Sequence, residues 1–146
     1  MSLPPQKFRE IVFQLLYSQD VEPIDPKEMI PFMMHELKVT KRSMTDAHAR
    51  AIAVLEQLGP IDEKIKASST EYSFERISRV EKNILRLGVF ELLHDETLPP
   101  KVAIAEAIRL CRKFGTPESA QFVNAILDDI YKKMAPCEHS NQPVTV

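Results

Sequence analysis

The sequence predicts an all-α protein of about seven helices around a central buried helix at residues 79–93. Three observations carry that expectation. No stretch of four or more residues alternates convincingly like a half-buried strand. Apolar residues recur instead at helical spacing, and the three glycines and eleven prolines stand mostly at helix starts and joints. The stretch RVEKNILRLGVFELL, Arg79 to Leu93, is apolar nearly all round when wound at about 100° per residue. Val80, Ile84 and Leu87 fall on one side of it, Leu85, Val89 and Leu92 on another, and Phe90 and Leu93 between them. A helix of that kind belongs inside a protein. Gly88 fits the same reading, because an interior glycine costs about 1 kcal/mol against alanine and is usually offset by close approach of a neighbour. Ser78 and Glu81 have the S-x-x-E spacing of a capping box at its start.

The other elements follow in order. The first helix begins after Pro4-Pro5, shows Phe8, Ile11, Val12, Leu15 and Leu16 on one face, and ends near Ser18. Asp25-Pro26-Lys27-Glu28 is a second start signal: a cap, a proline at the first helical position and an acid in the first turn. Met29, Ile30, Met33, Met34 and Leu37 form its expected buried face. Pro31 requires either a later start or a kinked first turn, since it removes an i→i−4 bond. Thr45-Asp46 opens a third helix with Ala51, Ile52, Leu55 and Leu58 buried, closed by Gly59-Pro60. A short amphipathic turn, Ile61 to Ile65, leads through a polar loop to the central helix. Lys101 to Phe114 comes next, with Ile104, Ala107, Ile108 and Cys111 on one face and Gly115 as its stop. Thr116-Pro117-Glu118 starts the last helix, which buries Val123, Ile126, Leu127 and Ile130. Residues 1–134 are read as a single domain, and 135–146, which lack helical periodicity, as a disordered tail.

Composition narrows the function. The 44% apolar and 27% charged residues suffice for a globular core. No run of about 18 apolar residues suggests a membrane span, and the N-terminal residues do not resemble a signal peptide, so the cytoplasm is the expected location. Two cysteines, Cys111 and Cys137, make no disulfide framework. The net charge of −2 does not mark the whole chain as a nucleic-acid binder, so any such role needs a local basic patch. Phosphate-loop, dinucleotide, nucleophile-elbow and metalloprotease motifs are all missing. The four histidines are scattered, and neither a cofactor nor a metal is expected. Basic residues do recur on helix surfaces: Lys7 and Arg9; Arg76, Arg79 and Lys82; Lys101; then Arg109, Arg112 and Lys113. Arg86 and Glu91 fall on the buried helix and therefore need charged partners.

RVEKNILRLGVFELL, followed by PPKVAIAEAIRLCRKFGTPESAQFVNAILDDI, resembles the NusB family of bacterial transcription antitermination factors. The likeness is close from Ser78 to Ile130, weaker over REIVFQLLY near the start, and confined to helix layout between Val21 and Tyr72. It implies two packed helical bundles and a non-enzymatic role. The implied partners are a small-subunit ribosomal protein, also called NusE, and the boxA element of nascent RNA, in the setting of the transcription elongation complex and notably of rRNA operons. A single-stranded RNA reader of this kind uses basic contacts to phosphate and stacking on unpaired bases.

Carried over by position, the resemblance gives Lys7, Arg9, Tyr17 and Phe122 as RNA-binding residues, and Glu81 and Glu118 as partner-facing ones. It also exposes departures. The arginine-rich start common in the family has shrunk to Lys7 and Arg9, Ala105 replaces an asparagine, and Gln121 stands where a lysine is common. Fewer phosphate contacts imply weak RNA binding by the chain alone. The alternative reading is a helical protein-interaction scaffold or homodimer with little RNA binding.

Overall fold

A computed structural model describes residues 3–134 of the chain. Seven α-helices occur among them: α1 (Pro5–Val21), α2 (Pro26–Leu37), α3 (Lys41–Glu56), α4 (Leu58–Ser68), α5 (Arg79–His94), α6 (Pro100–Phe114) and α7 (Pro117–Met134). A 3-10 turn, Phe74–Arg76, precedes α5, and the described residues contain no strand, as an all-α fold requires. The expected disordered tail, with Cys137 and His139, lies outside the described residues. The chain divides into two compact units, Met1–Leu58 and Gly59–Val146.

In the first unit α1 packs on α3, and α3 on α2. Ile11, Val12, Phe13, Leu15 and Leu16 of α1 are buried, so Phe13 joins the expected stripe while Phe8 is only half-buried. The third helix departs most from expectation. It starts at Lys41, four residues before Thr45, because Thr40 caps it: the Thr40 hydroxyl accepts from the Ser43 amide at 3.1 Å. The earlier start turns a different face inward. Met44, Ala47, Ala51 and Val54 are buried, whereas Ile52 is exposed and Leu55 half-buried. Alanines at two of these four positions let the α1 backbone come close, which the larger Ile52 and Leu55 would not.

α2 is helical from Pro26 through Pro31 to Leu37. The helix tolerates Pro31 because both it and Lys27, whose carbonyl loses its bond, lie on the exposed side. Of its expected buried face only Met29 is fully buried; Ile30, Met33, Met34 and Leu37 are half-buried. α2 ends on Lys38 in the left-handed region (φ 54°), the one non-glycine residue with positive φ among those described.

Gly59-Pro60 does not close a helix. Gly59 has no positive φ, so it is no C′ cap, and Pro60 sits in the first turn of α4, where its missing N–H is not needed. The expected turn at Ile61 to Ile65 is thus part of an eleven-residue helix that buries Ile61, Ile65 and Ser68.

In the second unit α6 and α7 both pack on α5 and on each other. The capping box at the start of α5 is complete: Ser78 accepts from the Glu81 amide at 3.1 Å, and Glu81 accepts from the Ser78 amide at 3.3 Å. Residues Asn83 to Glu91 are buried without interruption. Gly88 admits α7 closely, since a Cβ there would stand 3.0 Å from Leu127 Cδ1 and 3.7 Å from the Ala107 methyl. Arg86, 8% exposed, donates through Nε and Nη2 to both carboxylate oxygens of Asp62 at 2.9 Å each. A bidentate pair of this kind satisfies a guanidinium that the helix would otherwise bury uncompensated.

Replacing Asp62 by alanine removes that compensation while Asn83 remains at 3.4 Å. The expected loss is about 2–3 kcal/mol, slightly under the usual cost of breaking a buried pair because Asp62 keeps some solvent access. Urea unfolding of the two proteins measures it. A midpoint unchanged by Asp62→Ala would show that Arg86 is satisfied without the carboxylate.

Candidate functional site

The six residues singled out from the sequence fall on three helices. Lys7, Arg9 and Tyr17 lie on α1, Glu81 on α5, and Glu118 and Phe122 on α7. On α1, Lys7 and Arg9 are half-buried, more enclosed than the exposed face expected for them. Tyr17 is 37% exposed and its ring leans on Phe13, with centroids 6.0 Å apart. About 15 Å of helix separates Lys7 from Tyr17. At about 100° per residue Lys7 and Arg9 lie on nearly opposite sides of α1, so the helix does not bring the three onto one face.

Glu118 and Phe122 are one turn apart on α7, so they share a face. Glu118 is exposed in the first turn, where the positive end of the helix dipole favours an acid. Thr116 caps this helix, accepting from the Ser119 amide at 3.1 Å, as its T-P-E start predicts. Phe122 is half-buried and meets Tyr72 edge to face, with centroids 5.5 Å apart. The corner joining α6 to α7 holds a hollow of about 340 Å³ lined by Arg112, Gly115, Thr116, Pro117, Ala120 and Gln121. Gln121, noted as a replaced lysine, thus faces the same hollow as the exposed Arg112.

Glu81 is half-buried, and the capping box fixes its carboxylate, which also accepts from the Ser78 hydroxyl at 3.0 Å. Its charge reaches into the core. Burial pushes the Cys111 thiol up to about 12, and the charge of Glu81 adds to the rise. Cys111 is therefore a neutral, inert packing residue.

The basic positions are not all free. Arg109 pairs with Glu106 at 3.0 Å, and Lys113 lies 5.8 Å from the Phe114 ring centroid. Sequence reasoning missed Phe74, around which three cations gather: Lys82 at 4.5 Å, Lys66 at 5.2 Å and Arg86 at 5.8 Å from its ring. A spacing signal for it was hard to see, because Lys66 sits on the helix expected only as a turn. Among the described residues no three His, Cys, Asp or Glu side chains are grouped to hold a metal, and no helix is long and apolar enough to cross a membrane.

The fold and these surfaces define an all-helical protein whose polar and aromatic groups are displayed on helix faces. Comparison with known proteins places it further. The NusB family model matches residues 6–132. A transcription antitermination protein NusB from Dehalococcoides mccartyi is 33% identical over 135 residues, covering 92% of this chain and 94% of that protein. Among solved structures, NusB of T. maritima superposes with a TM-score of 0.80 at 34% identity, covering 94% of this chain and 97% of that one. A crystal structure of antitermination factors NusB and NusE in complex with double-stranded RNA matches with a TM-score of 0.76 at 27% identity, covering 88% of this chain and 96% of that one. The chain belongs to the NusB family.

At pH 8 an iodoacetamide label should leave Cys111 unmodified in the native protein and reach it in denaturant, as read by peptide mapping. The thiol's rise to about 12 leaves only about one thiolate in ten thousand at that pH. Native labelling of Cys111 at the rate of a free thiol would contradict its burial.

Proposed function

We propose that this protein is a non-enzymatic transcription antitermination factor of the bacterial cytoplasm. It binds boxA-type single-stranded RNA together with the small-subunit ribosomal protein NusE and joins the transcription elongation complex, notably on rRNA operons. The observation that carries the reading is the agreement of fold and sequence, over nearly the whole chain, with a NusB found in complex with NusE and RNA.

Lys7, Arg9, Tyr17 and Phe122 are the RNA-binding residues in this reading. Support comes from the exposed ring of Tyr17 and from the position of Phe122 one turn beyond Glu118. Glu81 and Glu118 face the protein partner. A ribosomal protein is basic, and these carboxylates complement it. The half-burial of Lys7 and Arg9, with Ala105 and Gln121 at positions where the family often has polar or basic groups, supports weak RNA binding by the chain alone.

A second reading, a helical interaction scaffold or homodimer with little RNA binding, is favoured by one feature. Val21, Ile24 and Phe32 of the first unit are large apolar residues at 46%, 39% and 63% exposure. Unchanged mobility of labelled boxA RNA in the presence of both proteins would favour it.

Fluorescence anisotropy of boxA RNA across a salt series tests the first reading. Binding without NusE is expected to be micromolar or weaker and to tighten at least tenfold with it. Charge reversal of both Lys7 and Arg9 should weaken the complex and flatten the log–log salt slope by about 1.4, the value for two lost contacts to a single strand. Nanomolar affinity at low salt without the partner would overturn the weak-binding claim.

Glu81→Lys should reduce capture of NusE at least tenfold in a pull-down. Its capping-box contribution of about 1 kcal/mol is lost too, so helix content by circular dichroism must be shown unchanged first. Full capture by a folded variant would remove Glu81 from the interface.

A further inference from the structure

The link between α4 and α5 carries Tyr72, which is 50% exposed and is the one exposed aromatic among the described residues of the second unit. Its ring meets Phe122 of α7 edge to face, with 5.5 Å between centroids and 66° between planes. Tyr72 belongs neither to the residues given to RNA nor to those given to the protein partner.

Its place is fixed from the main chain. The Ser69 amide donates to the Ile65 carbonyl at 2.9 Å and so continues the bonding of α4. The Ser69 hydroxyl donates to the Tyr72 carbonyl at 2.7 Å. A local bond of this kind folds the chain back on the end of the helix, so Tyr72 is presented from a short tied loop.

Two observations separate this pair from ordinary packing. The first is the order of exposure. In the pair formed by Phe13 and Tyr17, the supporting ring, Phe13, is buried and Tyr17 is the open one. Here the supporting ring is the open one: Tyr72 is exposed and Phe122 half-buried. A ring whose only task were to brace Phe122 would gain by covering its own faces as well, at about 25 cal/mol per Å² of apolar surface removed from water. The second observation is charge. Along two adjoining hollows beside Phe122, Lys64 and Lys133 stand against Glu71 and Asp129. Two ammoniums and two carboxylates leave no net charge to gather phosphate or to select a cation. What this surface offers a ligand is flat apolar area. A nucleobase is flat and uncharged, and it stacks on an aromatic face whatever the sequence.

We propose that Tyr72 is a base-stacking residue next to Phe122, and that the notch between the two rings holds one unpaired RNA base, stacked on Tyr72 with its edge toward Phe122. Rings at 66° cannot both stack on one base, so Tyr72 forms the floor of the notch and Phe122 its side. The inference rests on the reading of this protein as an RNA binder and adds to it a residue and a kind of contact.

The test uses the full chain with NusE and boxA RNA carrying 5-iodouridine at each position in turn. Long-wavelength irradiation should cross-link one position to Tyr72, as located by peptide mapping, and this readout needs no substitution in the protein. Tyr72→Leu should weaken RNA binding about fivefold or more, as the loss of one stacked base does. The log–log salt slope should stay unchanged, because no phosphate contact is lost. Tyr72→Phe keeps the ring and should recover the native affinity to within about twofold. A double-mutant cycle separates stacking from bracing: Tyr72→Leu should weaken binding further in a Phe122→Leu background, whereas a mere brace adds nothing there. Three results would overturn the proposal: no position cross-linked to Tyr72, native affinity in Tyr72→Leu, or a cycle in which Tyr72 adds nothing once Phe122 is gone. Loss of NusE capture by Tyr72→Leu with RNA affinity intact would give the ring to the protein partner and sink the proposal too. If the native protein with NusE binds no boxA RNA, the RNA reading itself fails, whereas binding that ignores Tyr72 defeats this inference alone.

Discussion

A helix buried along nine consecutive residues cannot carry an uncompensated charge, and α5 carries Arg86 in the middle of that span. The bidentate pair with Asp62 is what makes the burial tolerable. It also explains why α4 is a full helix rather than a turn. The carboxylate must be presented at a fixed distance from α5, and Ile61 and Ile65 on the same helix anchor it by burying their side chains completely. Burying two such residues is worth about 3–6 kcal/mol, enough to hold an element whose Gly59-Pro60 start is poor in local helix propensity.

The surfaces assigned to function depend on this interior in different ways. Glu81 is fixed by the first turn of α5, so its direction is set before any partner arrives. Phe122 is fixed by Tyr72, a residue of the loop after α4. Glu81 and Phe122 are therefore held by short local contacts. Long flexible side chains provide less of that order. An exposed arginine such as Arg112 supplies charge on a long side chain, which suits contact with a phosphate backbone better than recognition of a base.

Much of the second unit was legible in the residues themselves. The capping box at Ser78, the all-round apolar pattern after it, the close approach at Gly88 and the T-P-E start of α7 each have one physical meaning, and the structure realises all four. The region before it was harder to read for a definite reason. Thr40 and Thr45 are both plausible caps, and only tertiary packing of Met44 decides between them. Gly59-Pro60 fits a helix stop as well as a helix start, and the need to place Asp62 near Arg86 decides that case. Partners distant in sequence were invisible for the same reason: Asp62 and Arg86 lie 24 positions apart, and Phe74 meets Lys66 only once α4 is a helix. Of the six candidate site residues, the family pattern supplied the positions, while periodicity alone offered only helix faces.

The bare backbone at position 88 has a consequence beyond packing. With two Leu127 methyls at 3.0 and 3.3 Å from where a Cβ would stand, the interaxial distance between α5 and α7 is set by a hydrogen atom. Glu81 rides on one of these rods and Glu118 with Phe122 on the other. A bulkier residue at 88 would therefore act as a wedge, widening the gauge between the two faces proposed for docking without touching either.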